Sequence, residues 1–401
     1  MSPARKPQAR RRGKPKHDVN YAVRTARSGL EMPDASVLYA PMAAAATVGM
    51  ESDPLWVLIV GGSSGGKTEV LNALGNGLVD KYMSEFTVPG LLSVTKGENA
   101  IPTGLLARHL GQKILVVVRD LSAILALEDR GRRREELAKL REMYDGYVAR
   151  EIYGHKLEWK GRATMIGAVT HAIDRFAAHN EELGTRWLSL RLPDANIEAQ
   201  RRIIKKVEKR KGADRDSWRH ALRSVVEHVV TRAQDRLEKE PERYEATGRT
   251  SKQIERYSIV GARGRASVPR SGYGAREQIG MPDIEGPARL HGELLLLYQG
   301  ARAIGLTEER ALKLARRMAK DSMPRQRATA LHALAQTDGF GVSASGASRR
   351  YGIDRKVIAW ALEDLGAAGM ARSERATDEQ GTPVYWMPDP EYSTYIKATF
   401  K

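Results

Sequence analysis

The residues Gly61-Gly-Ser-Ser-Gly-Gly-Lys-Thr68 decide how this chain is read. They fit the pattern G-x-x-x-x-G-K-[ST], follow the apolar run 55–60 (LWVLIV) and lead into a helical stretch around 69–74. A strand, a glycine-rich turn and a helix in that order make a phosphate-binding loop. Gly61, Gly62, Gly65 and Gly66 free the backbone to curl, so that N–H groups, those of Ser63 and Ser64 included, converge on phosphate oxygens. The helix start adds a partial positive charge. Lys67 is expected to reach the β- and γ-phosphates and Thr68 to ligate Mg²⁺, which makes ATP and Mg²⁺ the implied cofactors. The competing reading is a glycine-rich turn with a chance lysine.

Working outward, 113–118 (KILVVV), 165–169 and 187–192 are further short apolar runs, the last closed by Pro193. Such runs suit strands of a parallel sheet buried on both faces, so an α/β core is expected. Asp120 follows the 113–118 run. A carboxylate there would hold the water shell of Mg²⁺, as the second acid of a nucleotide site does. The glutamate that usually follows is replaced by Leu121 and then Ser122. Glu69 is one substitute as the water-activating base; its other reading is an acid in the first helical turn that favours the helix dipole. Residues 132–148 read as an amphipathic helix, and 151–164 alternate around Gly154-His155 as a hairpin. From 196 to 240 the period becomes helical, with Trp218, Leu222, Val225, Val226 and Val229 on one face. Residues 249–276 are basic, and 287–320 suggest two helices joined at Gly305-Leu306.

Composition narrows the class. The 401 residues allow two or three domains, with 41% hydrophobic and 29% charged residues and a mean hydropathy of −0.47. No apolar run approaches the roughly 18 residues of a membrane span, and the N-terminus lacks the apolar core of a signal peptide. A cytoplasmic protein with no membrane partner is therefore expected. Zero cysteines exclude disulfides, thiolate zinc sites and a cysteine nucleophile. No G-x-S-x-G or H-E-x-x-H pattern occurs. The net charge of +17 points to a polyanionic partner. Residues 1–16 carry seven Lys/Arg and no acid, either as a phosphate-contacting arm or as a solubilising tail.

The series 61–68, 116–122, 140–146 (LREMYDG), 166–170 (IGAVT) and 183–188 (LGTRWL) resembles the AAA+ ATPases of phages and integrated elements. These are similar to the helicase halves of primase–helicase proteins and, more distantly, to superfamily-three and MCM-type helicases. The likeness covers about 54–194 and weakens towards 320. It implies a P-loop ATPase core over 35–194, followed by a helical lid and basic linker over 195–322; the charge ahead of it reads as a disordered basic arm, bounded at 1–34. It places Thr170 as sensor 1 near the γ-phosphate, with a plain strand-end threonine as the alternative. Arg186 becomes an arginine finger reaching a neighbouring subunit, with Arg175 as its rival, so a homo-oligomeric ring is implied. One of Arg263, Arg265 and Arg289 would be a sensor-2 arginine. The hairpin 150–160 would enter a central pore and grip DNA through His155 and Lys156; its plainer reading is a solvated turn. The absent glutamate after Asp120 departs from the family pattern.

Beyond 323 the pattern changes again. Helices are expected over 325–336, 343–351 and 355–368, the last capped by Asp354, with Ile358, Ala361, Leu362 and Leu365 on its buried face. Residues 370–375 and 383–387 bracket a polar loop. Three helices and a hairpin are similar to a winged helix-turn-helix over 323–390, leaving 391–401 as a tail. Arg349, Arg350, Arg355, Lys356, Arg372 and Arg375 tilt it towards DNA. The expected function is an ATP-dependent DNA motor resembling a replication helicase. The alternatives are a DNA-binding transcriptional regulator switched by ATP and an ATP-driven protein remodeller.

Overall fold

The computed structural model describes residues 17–63, 65–84, 87–95, 101–125, 127, 129–174, 186–209, 212–272, 277–337, 341–375 and 384–401. In chain order the strands are β1 (Trp56–Val60), β2 (Lys81–Met83), β3 (Ser93–Val94), β4 (Pro102–Thr103), β5 (Lys113–Val118), β6 (Tyr147–Ile152), β7 (His155–Lys160), β8 (Arg162–Val169), β9 (Trp187–Arg191), β10 (Val342–Ser343), β11 (Ala371–Arg375) and β12 (Val384–Pro388).

Five of them build one parallel sheet in the order β2-β5-β8-β1-β9. β1 and β8 are buried along their whole length, as a sheet covered on both faces requires. Side chains alternate across the sheet. Val57, Ile59, Leu115, Val117, Ile166, Ala168, Leu188 and Leu190 share one hydrophobic core with the helices Val19–Gly29, Ser36–Ala46, Ala213–Lys239 and Ala288–Ala303. Trp56, Leu58, Val60, Ile114, Val116, Val118 and Met165 face the other way, onto helix Arg130–Tyr144 and the hairpin of β6 and β7. The α/β core is thus three layers: helices, sheet, helix plus hairpin.

Four boundaries differ from the sequence reading. Residues 17–34 are no arm: Asp18 caps the helix Val19–Gly29, whose buried stripe Val19, Ala22, Val23 and Ala26 packs on helix Ala213–Lys239. The high charge of 1–16 had masked that periodicity; those residues lie outside the described ones. The helices over 195–322 are largely a covering layer of the sheet, because their apolar faces join its core. Helix Ser36–Ala46 is apolar on all sides and runs between the sheet and helix Ala288–Ala303, where a Cβ at Gly300 would collide with the Ala43 carbonyl. The expected tail is the helix Pro390–Phe400, which packs back on helices Gly248–Gly264 and Arg325–Ala335 through Tyr392, Ile396 and Phe400. The hairpin spans Tyr147–Lys160 and turns at Tyr153-Gly154, one residue earlier than expected, because both residues take positive φ (50° and 77°).

The C-terminal unit holds helices Arg325–Ala335, Ala344–Tyr351 and Arg355–Ala367 and the antiparallel sheet β10-β12-β11. Asp354 Oδ1 accepts the N–H groups of Lys356 and Val357, and Ile358, Ala361, Leu362 and Leu365 are buried, as the spacing predicts. The polar loop expected between the two strands, 376–382, lies outside the described residues; of the wing expected over 375–381 only Arg375 is described, on β11. Asp364 is buried and accepts from two arginines: Arg270 Nε at 2.8 Å and Arg327 Nε at 3.0 Å. Among the described residues no helix is long and apolar enough to cross a membrane.

One buried acid makes a pH test. Glu293 lies wholly inside, accepting from Tyr144 Oη at 3.1 Å, with Arg265, Arg289 and Glu285 around it. Burial pushes its carboxyl up to about 7, against the pull of Arg265. The folded state then holds this proton where the unfolded chain has released it. The contribution of Glu293 to stability therefore falls as pH rises from about 4.5 to about 7. Glu293→Gln should flatten that part of the pH–stability curve, with equal or higher stability at pH 8. An unchanged slope in pH-dependent urea unfolding would refute the assignment.

Candidate functional site

The carboxyl ends of β1, β8 and β5 carry the candidate chemistry, where open α/β sheets hold their ligands. Beyond Val60 the chain enters the glycine-rich loop. Gly61 N–H donates to Val169 O at 3.1 Å, tying the loop to the end of β8. Leu192 packs against Gly61, and Gly65 N–H donates to Gly62 O at 3.3 Å. Gly66 takes φ +80°, open to glycine at little cost, and the helix Lys67–Asn72 begins after it. Ser64 lies outside the described residues.

Lys67 folds back into the loop: Nζ donates to Gly61 O and Gly62 O, each at 2.7 Å. Burial lowers its pKa, and the negative charge of Asp120 opposes that shift. Asp120 itself follows β5 and is exposed. Its Oδ1 accepts from Ser122 N–H at 2.8 Å. Because β8 runs between β1 and β5, Thr170 stands between the loop and Asp120. Thr170 N–H donates to Ser122 Oγ at 3.2 Å, and the two hydroxyls lie 3.3 Å apart. The structure thus brings together Gly61–Thr68, Asp120 and Thr170, and adds Ser122 as the link between the last two. The Asp-x-Ser spacing is the local signal for it, since an Asp side chain readily accepts from the N–H two residues on.

The two places for a water-activating carboxylate are otherwise engaged. Leu121 is buried against Gly167, at the position where a glutamate was missed in the sequence. Glu69 is gripped by the guanidinium of Arg219, with Oε2 2.9 Å from Nε and a second, shorter contact to Nη2. Arg219 comes from helix Ala213–Lys239, so only the folded chain reveals the pairing.

An oxygen-rich triphosphate with a divalent ion suits this donor set: one ammonium, one hydroxyl at Thr68, one exposed carboxylate and a curled backbone. Mg²⁺ commonly takes one or two protein oxygens and completes its shell with phosphate and water. Lys67 and Thr68 would hold the phosphate side and Asp120 the ion's water shell.

Beside the loop, Arg191 at the end of β9 makes a two-pronged pair with Asp174, both contacts 2.8 Å, and donates to Asp321 O at 2.9 Å. Arg191 and Asp321 border a cleft of about 500 Å³ lined also by Leu192, Lys320, Arg325, His332 and Phe400. Sequence reasoning missed it, because its walls come from distant segments.

Other expected residues lie elsewhere. Arg186 precedes β9, at the opposite end of the sheet from the loop. Its guanidinium pairs with Asp145 (3.0 and 3.1 Å) and sits 5.4 Å from the centre of the Tyr144 ring. It is thus engaged within its own chain. Arg175 lies outside the described residues. Arg263 donates to Ala368 O, Arg265 pairs with Glu285, and Arg289 pairs with Glu285, so all three serve internal contacts.

The hairpin is rooted at the amino end of β8. Trp159 is buried and donates from Nε1 to His109 O at 2.9 Å, while Arg150 Nη1 donates to Leu92 O at 2.8 Å. Its tip is open: Tyr153 is 74% exposed. His155 and Lys156 are exposed but begin the return strand, and Lys156 pairs with Glu158. In the C-terminal unit Arg349, Arg350, Arg355, Lys356 and Arg372 are exposed. Arg375 lies on β11, with its side chain outside what is described.

No protein-family model matches the chain, and no curated protein shows significant similarity to it.

Proposed function

We propose that this chain is a P-loop ATPase of AAA+ type that acts on DNA as a motor, with a winged helix as its second DNA contact. The observation that carries the reading is the meeting of Lys67, Asp120 and Thr170 at the ends of three adjacent parallel strands, with a curled glycine loop before Lys67. The order of helices and strands over 325–388 supports a winged helix, with Arg355 and Lys356 at the start of its third helix. The charge of +17 supports a polyanionic partner. In this reading the chain works as a ring, and Arg186 reaches a neighbour's nucleotide only after parting from Asp145. ATP turnover measured alone, with single-stranded DNA and with duplex DNA tests it. Several-fold stimulation by single strands is expected.

A second reading has its own support. The buried Leu121 and the Arg219-bound Glu69 leave the site without a free carboxylate beside Asp120 among the described residues. That favours a nucleotide-switched DNA-binding regulator. Tight nucleotide binding, negligible turnover with any DNA and specific duplex binding would select it.

Two mutational outcomes belong here. Lys156→Ala should keep basal turnover and lower the stimulation by DNA at least several-fold; equal stimulation would remove the hairpin from DNA contact. Arg355→Ala and Lys356→Ala should each weaken duplex binding and flatten its log–log salt dependence by about one unit, the loss of roughly one phosphate contact. Salt titrations of wild type and variants that superimpose would exclude that helix.

A further inference from the structure

The cleft beside the end of β9 holds two cationic side chains that the chain leaves without a counter-charge. One wall comes from Arg191–Asp194 and the helix Glu308–Asp321, the other from the helix Arg325–Ala335 and Phe400. The cleft therefore lies between the sheet's covering layer and the C-terminal unit. Leu192 lines it and also packs against Gly61, so this side chain stands between the cleft and the glycine-rich loop.

Three carboxylates line the cleft, and each is taken. Asp34 pairs with Arg317. Asp321 accepts from Arg317 Nε at 3.1 Å and from Arg191 N–H at 2.9 Å. Asp194 holds Arg325 Nη1 at 3.0 Å and faces His171 Nε2 at 3.3 Å. Lys320 and His332 are left over: both are half-buried, and among the described residues neither side chain makes an ion pair or a hydrogen bond. Lys320 Nζ stands 4.9 Å from the centre of the Phe400 ring, which fixes its direction without neutralising it. Burial lowers its pKa; Arg316 and Arg317 push the same way and Asp321 opposes them. Burial also lowers the pKa of His332, aided by the charges of Lys320 and Arg350, so Lys320 and His332 are close enough to repel.

Two mutually repelling groups in a half-enclosed place are stabilised by a shared anion. The cleft's volume of about 500 Å³ suits a small-molecule ligand. We infer that the cleft binds a small phosphate monoester, its phosphate between Lys320 and His332 and its body against Leu192 and Ala328. A phosphate monoester carries close to two negative charges at neutral pH and so answers both groups, which a single carboxylate would not. Arg325 can join them: its pair with Asp194 is 60% and 63% exposed on its two sides, and such a pair exchanges at little cost. The bound molecule would touch both walls and tie the C-terminal unit to the sheet. The site stands apart from the proposed function, because none of its groups belongs to the glycine-rich loop.

Calorimetry on the full chain tests this with inorganic phosphate, sulfate and AMP as probes. Every variant carries Lys67→Ala, which removes the loop's own claim on phosphate. Lys67→Ala alone should bind AMP, and phosphate more weakly. Adding Lys320→Met, which keeps much of the stem over Phe400, should weaken AMP binding about tenfold or more, the loss of one charge-assisted hydrogen bond. Adding His332→Leu instead should weaken it several-fold. Where Lys320→Met lowers the melting midpoint of the free chain, His332→Leu decides. No AMP binding to Lys67→Ala overturns the inference, as does binding indifferent to both additions. Sulfate or phosphate bound as tightly as AMP overturns the monoester. A wild type that fails to bind ATP would sink the reading of the loop and leave the result at the cleft standing.

Discussion

Lys67→Ala should reduce ATP turnover by about 10²–10³ or more, the scale on which a single preorganised donor to transition-state charge acts. Lys67 bridges two carbonyls of its own loop, Gly61 O and Gly62 O. Gly62 is exposed and the contact to Gly61 O is part-buried, so water can replace the ammonium at Gly62 at least, and the variant should fold with nearly the wild-type melting midpoint. Loss of nucleotide affinity by calorimetry together with loss of turnover is the expected pair of results. Asp120→Asn should bind nucleotide and lose turnover, because in the proposed site the carboxylate would serve the ion rather than the loop. Wild-type turnover in Lys67→Ala would sink the proposed nucleotide site.

The second large effect is on stability. Asp364 holds Arg270 and Arg327 inside the joint between the C-terminal unit and the 265–272 segment. Asp364→Ala leaves Arg327 enclosed with no carboxylate and Arg270 with Glu363 alone, and breaking a buried ion pair from one side costs roughly 3–5 kcal/mol. The change should appear as a lowered urea midpoint, together with protease cleavage near the joint at urea concentrations where the wild type is intact. Arg327 also donates to Ala266 O and Gly264 O, so its own replacement should be comparably severe. A loss under about 1 kcal/mol in Asp364→Ala would mean that the two arginines find other acceptors or water.

The sheet was legible because its strands announce themselves. A run such as Trp56–Val60, apolar at every position and followed by glycines, has few structural meanings. The same holds for Ile358, Ala361, Leu362 and Leu365, whose spacing specified a buried helix face. Legibility stopped wherever a role depends on a distant partner. Nothing near Glu69 announces Arg219, 150 residues on, and nothing near Arg186 announces that its guanidinium rests on Asp145 and Tyr144. Helix Val19–Gly29 was hidden by averaging charge over a basic terminus, although its own i, i+3, i+4, i+7 stripe was present. The turn at Tyr153-Gly154 was misplaced by one residue because a tyrosine is an unexpected occupant of a positive-φ position. Of the candidate site, the residues within one motif were readable; the partners that hold or release them were not.

β8 has one more consequence. It leaves the hairpin directly, with Gly161 alone between Lys160 and Arg162, and it ends at Val169 against Thr170. Eight residues at about 3.3 Å each make a rod of roughly 26 Å. Hydrogen bonds to β5 and β1 clamp it on both flanks, so it moves only with the sheet as a whole. The foot of the hairpin and Thr170 are therefore the two ends of one stiff element, and their separation is fixed by the sheet rather than by loops.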